Sequence, residues 1–242
     1  MTSRFSTPLL SPLYPKPTYH YVGAKMLLTL FNTSDESLQK LLPSFFRPSD
    51  MKLAGVMFAE QPCKETGTFM ESALLVQCVF DNHLTGQEEV GVYFAHDFVD
   101  TDVALAAGRE IWGYPRKMAK ISMKWTGDRL VATTSRGGKT LLKATCTFTE
   151  EGEWIDSGPN LNVKMIPSAD GSGLDVAAVS AAYLTYDVKK GRSGNPQIEI
   201  SGGADYGLSG IDIESIMIGL YFDMDITVPP GKTVMALPQS ET

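Results

Sequence analysis

Histidine and cysteine are scarce, 3 of each in 242 residues. His20, His83 and His96 stand alone, and Cys63, Cys78 and Cys146 lie far apart in apolar or strand-like runs, so neither a zinc motif nor a disulfide framework is expected. His96, Asp97 and Asp100 come nearest to a metal cluster, and a loop after the strand at Val90 accounts for them. Asp170 to Asp175 resembles a calcium loop only faintly, since Leu174 occupies a ligand position and the closing Glu is missing. Long apolar runs and a leader-like N-terminus are absent too, and the final Gln239-Ser240-Glu241-Thr242 is no peroxisomal signal. A reducing cytoplasm is the expected setting, without membrane contact. Basic runs are also lacking: 21 Lys and Arg scattered among 28 Asp and Glu leave a net charge of -7, which argues against nucleic acid as a partner. The chain has no Gly-x-Ser-x-Gly elbow, phosphate loop or dinucleotide fingerprint, Gly202 to Gly207 having the wrong spacing.

What is present is alternation. Val90, Val92 and Phe94 alternate with other residues, as do Ala119, Ile121, Met123 and Trp125 against Lys120, Ser122 and Lys124, and Ile216 to Ile226 is the longest such run. Turn signals separate the runs, at Gly127-Asp128, Arg136-Gly137-Gly138 and Pro229-Pro230-Gly231 among others. The expected fold is mainly β (α+β), a closed, antiparallel, barrel-like sheet with a few short helices. A capping box over Thr33 to Glu36 predicts one helix through Leu38, Leu41 and Leu42, ended by Pro43. With no repeat and no internal linker, residues 1–242 read as one domain, with 1–18 an extended arm. That arm carries Pro8, Pro12, Pro15 and Pro17 among apolar residues and needs a surface, on its own domain or on a neighbouring subunit.

One segment breaks the strand pattern. Gly108-Arg109-Glu110-Ile111-Trp112-Gly113-Tyr114-Pro115-Arg116-Lys117 embeds charges among apolar residues directly before a strand, and it resembles the Gly-Arg-Glu and Tyr-Pro-Lys-Lys signature of the acetoacetate decarboxylase-like superfamily. Ser6-Thr7-Pro8-Leu9, Glu71-Ser72, Val163 to Pro167 and Asp170-Gly171-Ser172 agree in order, so the resemblance spans nearly the whole chain. It implies a β fold that assembles into homo-oligomers, a small keto acid as ligand, and no metal or organic cofactor. It also implies a lysine that attacks a ketone to form an imine, an electron sink for departing carbon dioxide; acetoacetate decarboxylase is itself the known example of a lysine activated beside another cation.

The site residues carried over by the resemblance depart from that pattern. The imine-forming position, the first basic residue after Tyr-Pro, is Arg116, whose guanidinium does not deprotonate to a nucleophile. The substrate-side arginine falls on Ala24, with Lys25 beside it. Glu71 matches the acidic pocket residue, and Glu110 matches within Gly-Arg-Glu. The leading expectation is thus a carbon-carbon lyase on a β-keto acid, with Lys117 as amine, Glu71 handling protons, and Arg116, Glu110 and Lys25 binding substrate. Alternatives are an aldolase-dehydratase or cyclase on a carboxylated or polyketide-like metabolite without an imine, and a non-catalytic ligand-binding protein. Strand phase counted back from Trp125 puts Lys117 on the apolar face, whereas the resemblance points Arg116 into the pocket. Pro115 or a bulge can shift the phase, so sequence leaves both open.

Overall fold

Alternating residues become strands almost throughout. A computed structural model describes residues 5–202 and 206–238; part of the Gly202 to Gly207 segment and the Gln239 to Thr242 tail lie outside the described residues. In chain order the elements are β1 (Tyr19–Asn32), α1 (Asp35–Leu41), β2 (Arg47–Pro48), β3 (Leu53–Cys63), β4 (Gly67–Asn82), β5 (Gln87–Val99), α2 (Asp102–Ala107), a π-helical turn (Gly108–Trp112), β6 (Arg116–Met118), β7 (Lys120–Thr126), β8 (Arg129–Arg136), β9 (Lys139–Glu151), β10 (Asn160–Pro167), β11 (Leu174–Ala182), β12 (Thr185–Ile200), β13 (Ser215–Val228) and β14 (Lys232–Ala236). Ser34, one residue beyond the expected Thr33, caps α1 by accepting from the Ser37 N–H at 3.2 Å.

The expected closed antiparallel barrel is corrected on two counts. The strands form a single 14-stranded sheet in the order β14-β11-β10-β5-β4-β3-β1-β13-β12-β9-β8-β7, with β2 on β4 and β6 on β5, and its two ends do not meet. Nor is it wholly antiparallel, because β5 pairs in parallel with both β10 and β6. Alternation reports which face a side chain takes, but closure depends on whether the terminal strands find each other, which leaves no local signature. The edge strand β7 carries exposed Lys120 and Lys124, and charge of that kind discourages further pairing.

The central strands are buried on both faces. Met26, Met57 and Phe222 point into one core, while their neighbours Leu27, Phe58 and Tyr221 point into a second, where Phe98, Ile121, Leu130 and Leu142 also pack. Two-sided burial explains the unbroken apolar runs such as Ala73-Leu74-Leu75-Val76. In the arm, Tyr14 is the buried anchor, its hydroxyl donating to Glu110, whereas Leu9, Leu10 and Leu13 are exposed. Among the described residues no helix is long and apolar enough to cross a membrane.

Candidate active site

The first core is hollow. A cavity of about 320 Å³ is lined mostly by apolar side chains of β1, β3, β4, β5 and β13, together with Trp112, Tyr114 and Arg116. That volume is in the range of small-molecule sites.

Its polar end is built around Arg116, which is only 5% exposed. Parallel pairing sets Arg116 opposite Asp97, so both project from the same face of adjacent strands. The guanidinium donates from Nη2 to Glu71 Oε1 at 2.5 Å, from Nε to Asp97 Oδ2 at 3.1 Å and from Nη1 to the Ala104 carbonyl at 2.7 Å. It also lies 4.9 Å from the Tyr114 ring centroid and 5.3 Å from that of Phe69. Gly108 makes room for this seat: a Cβ there would lie 2.5 Å from Arg116 Cδ and Nη1. Gly113, at φ +80°, ends the π-helical turn, and a Cβ on it would meet Lys164 at 2.7 Å. The glycines of the charged segment thus serve close approach to Arg116 and to β10.

Three ionisable groups share this small buried volume. Burial works against the Arg116 charge, but Glu71 and Asp97 outweigh it and hold the guanidinium above its ordinary value. Burial, and then the Glu71 charge, push the Asp97 carboxyl well above the ordinary carboxylate range despite Arg116. Asp97 therefore holds a proton more readily than an exposed carboxyl does. Gln61 Nε2 donates to Glu71 Oε2 at 3.2 Å, which orients the amide and leaves Gln61 Oε1 buried without a partner. Burial also keeps the Tyr21 phenol protonated, its value raised well above 10.0.

The acetoacetate decarboxylase (ADC) family pattern matches residues 6–237. The chain belongs to the acetoacetate decarboxylase family. It is 25% identical to "Acetoacetate decarboxylase 2" of Mesorhizobium japonicum, over 98% of this chain and 91% of that protein. The crystal structure of acetoacetate decarboxylase from Legionella pneumophila aligns with a TM-score of 0.83 and 26% identity, covering 97% of this chain and 95% of that one. The enduracididine biosynthesis enzyme MppR, complexed with the condensation product of pyruvate and imidazole 4-carboxaldehyde, shares the fold at TM-score 0.83 and 14% identity, covering 97% of each chain.

Within this family framework the expected site residues separate. Glu71 and Arg116 line the cavity; Lys117, Glu110 and Lys25 do not. Lys25 is exposed, 3.6 Å from Glu60, and Ala24 is fully buried. Glu110 is exposed at the arm and accepts from Tyr14. Lys117 points to the opposite face of β6, beside its partner Phe98 and the second core. There are two apolar faces, so Lys117 keeps the company of Phe98 and Ile121 while Arg116 faces the cavity. Of the two orientations that the sequence leaves open, the structure has Arg116 toward the cavity.

Asp97, Gln61 and Tyr21 were not singled out from sequence as site residues. His96-Asp97 belongs to strand β5 and not to a loop, and Asp97 sits at the heart of the ion-pair cluster. A buried charge flanked by Phe94 and Phe98 was the available signal. Among the described residues no group of three or more His, Cys, Asp or Glu is arranged to hold a metal.

Proposed function

We propose that this family member makes or breaks a carbon-carbon bond next to a ketone through an enolate, as an aldolase-dehydratase or cyclase does, and without a lysine imine. The carrying observation is that, among the described residues lining the cavity, Arg116 is the one basic residue. Two of the five guanidinium N–H groups are not used by Glu71, Asp97 or Ala104, and they are suited to hold a ketone oxygen. Glu71, which Arg116 and Gln61 hold in place, removes a proton from the carbon next to that ketone, and the electron pair moves onto the held oxygen. The enolate then adds to a carbonyl carbon, and Glu71 returns the proton to the new alkoxide; the reverse sequence cleaves the bond. Gln61 Oε1 is placed to accept from the hydroxyl that such a reaction forms or consumes.

Charge supports this reading over decarboxylation of a β-keto acid. One guanidinium already faces two carboxyl groups, so a substrate carboxylate at the same end meets no net positive charge. That MppR, which shares this fold, is complexed with the condensation product of pyruvate and imidazole 4-carboxaldehyde supports this reading.

The test is exchange of ketone α-hydrogens for deuterium, followed by NMR, with 2-heptanone as probe. Wild type is expected to catalyse exchange, Glu71→Gln to be slower by a factor of ~10²–10⁴, and Lys117→Met to match wild type. Borohydride treatment with acetoacetate should leave the intact mass unchanged. A reducible adduct on Lys117, or the absence of exchange despite ketone binding, overturns the proposal.

A further inference from the structure

We infer that the substrate carries a long unbranched apolar chain whose tail lies toward the Met51 and Met217 end of the cavity. This rests on the ketone end being held at Arg116 as proposed above.

The cavity runs along the strands, and three of them become more exposed in the same direction. On β1, Met26 is buried while Leu30 is half-buried; on β3, Met57 is buried, Leu53 is half-buried and the preceding Met51 is 53% exposed. On β13, Phe222 is fully buried, Ile218 is half-buried and Met217 is 43% exposed. Arg116 and Glu71 thus lie toward a closed end, which buried Tyr21, Ile226 and Val228 complete, and a mouth lies at the other. On β4 the lining runs from Glu71 through Leu75 to Gln77, which share a face, and the six residue steps at ~3.3 Å each span about 20 Å. A substrate the size of acetoacetate would fill only the closed end.

Trp154, Ile155 and Ser157 cover part of this channel, beginning at the level of Phe222. Trp154 packs tilted against Tyr186 with ring centroids 4.3 Å apart and edge-on against Phe222 at 5.2 Å, and Ile155 and Ser157 also line the cavity. Glycines fix both ends of the crossing, since a Cβ on Gly191 would lie 2.0 Å from the Gly152 carbonyl and one on Gly158 would lie 2.1 Å from the Val90 carbonyl. A channel lined mostly by apolar side chains, with its charged groups at one end and no charge toward the Gln77 end among the described lining residues, fits an extended alkyl chain better than a bulky ring system.

Binding of 2-butanone, 2-heptanone and 2-undecanone, followed by tryptophan fluorescence or calorimetry, tests this without requiring turnover. Affinity is expected to rise about fourfold per methylene across the series. Ile218→Trp and, as an independent variant in case the first does not fold, Leu30→Trp narrow the mouth and should lower the ratio of 2-undecanone to 2-butanone affinity at least tenfold. Affinity that is flat beyond 2-butanone, or a ratio unmoved in folded variants, overturns the inference. Catalysed α-hydrogen exchange with flat chain-length dependence removes the long chain alone, whereas steep dependence without exchange removes the enolate reading alone.

Discussion

Arg116 and Lys117 are neighbours on one three-residue strand, yet their surroundings are opposite. Arg116 is buried among carboxyls and aromatic rings at the closed end of the cavity. Lys117 is half-buried beside other cations: Arg109 donates to the Arg116 carbonyl and Arg136 to the Met118 carbonyl, so guanidinium groups cap the open edge of β6 on both sides of it. Among the described residues no carboxylate pairs with Lys117. A two-sided sheet lets one strand serve two cores, and successive positions then differ in chemistry as much as distant ones do. The difference teaches that a pair of adjacent basic residues is not a pair in function.

The comparison breaks most severely if Arg116 is removed. Arg116→Met leaves Glu71 and Asp97 facing each other in an apolar site, which should cost about 3–5 kcal/mol of stability and abolish α-hydrogen exchange. Urea denaturation measures the first effect. An unchanged midpoint would mean that the cluster contributes nothing to the fold.

Asp97 gives a smaller, pH-dependent effect. An acid whose folded value is raised contributes stability that is complete below its unfolded value, near 3.8, and is lost as pH rises through the folded value. Asp97→Asn cannot ionise and so escapes that loss. Relative to wild type, the variant should gain stability as pH rises from 4 upward, checked by urea midpoints at successive pH values. Parallel curves would show that Asp97 does not hold its proton in the folded protein.

Much of this architecture was legible, and the exceptions have physical causes. Strands such as β13 were readable because buried Met224, Ile226 and Val228 alternate with half-buried Asp223, Asp225 and Thr227. The open edges at β7 and β14 were not, since pairing of distant strands has no local trace. The segment around Arg116 and the match at Glu71 drew attention through their motif, which locates residues but not the face they take. Asp97 escaped because Val90, Val92 and Phe94 set a phase that a bulge at Ala95 resets: Phe94 pairs with Leu75 and His96 with Leu74, so Asp97 turns to the Arg116 side where unbroken alternation would have put His96. Gln61 escaped because a lone amide between Glu60 and Pro62 carries no pattern at all.

The smallest effect, and the sharpest test of the comparison, belongs to Lys117. Partial burial, followed by the charges of Arg136 and Arg109, holds its amine below the ordinary value of 10.5. A base lowered in this way contributes stability that is present above its unfolded value and lost as pH falls through its folded one, so at neutral pH its charge is a mild liability. Lys117→Met should therefore leave stability at pH 7 within about 0.5 kcal/mol of wild type, or slightly above it. His96 offers a local readout, its imidazole being lowered to about 4 by burial first and then by Lys117. Without Lys117 that value should rise, but not as far as 6.5, because burial remains the larger cause; NMR titration of the His96 ring measures it. If the variant instead lost α-hydrogen exchange while keeping its urea midpoint, the amine would have to reach the cavity during turnover, and the separation of the two faces of β6 would fail as an account of function.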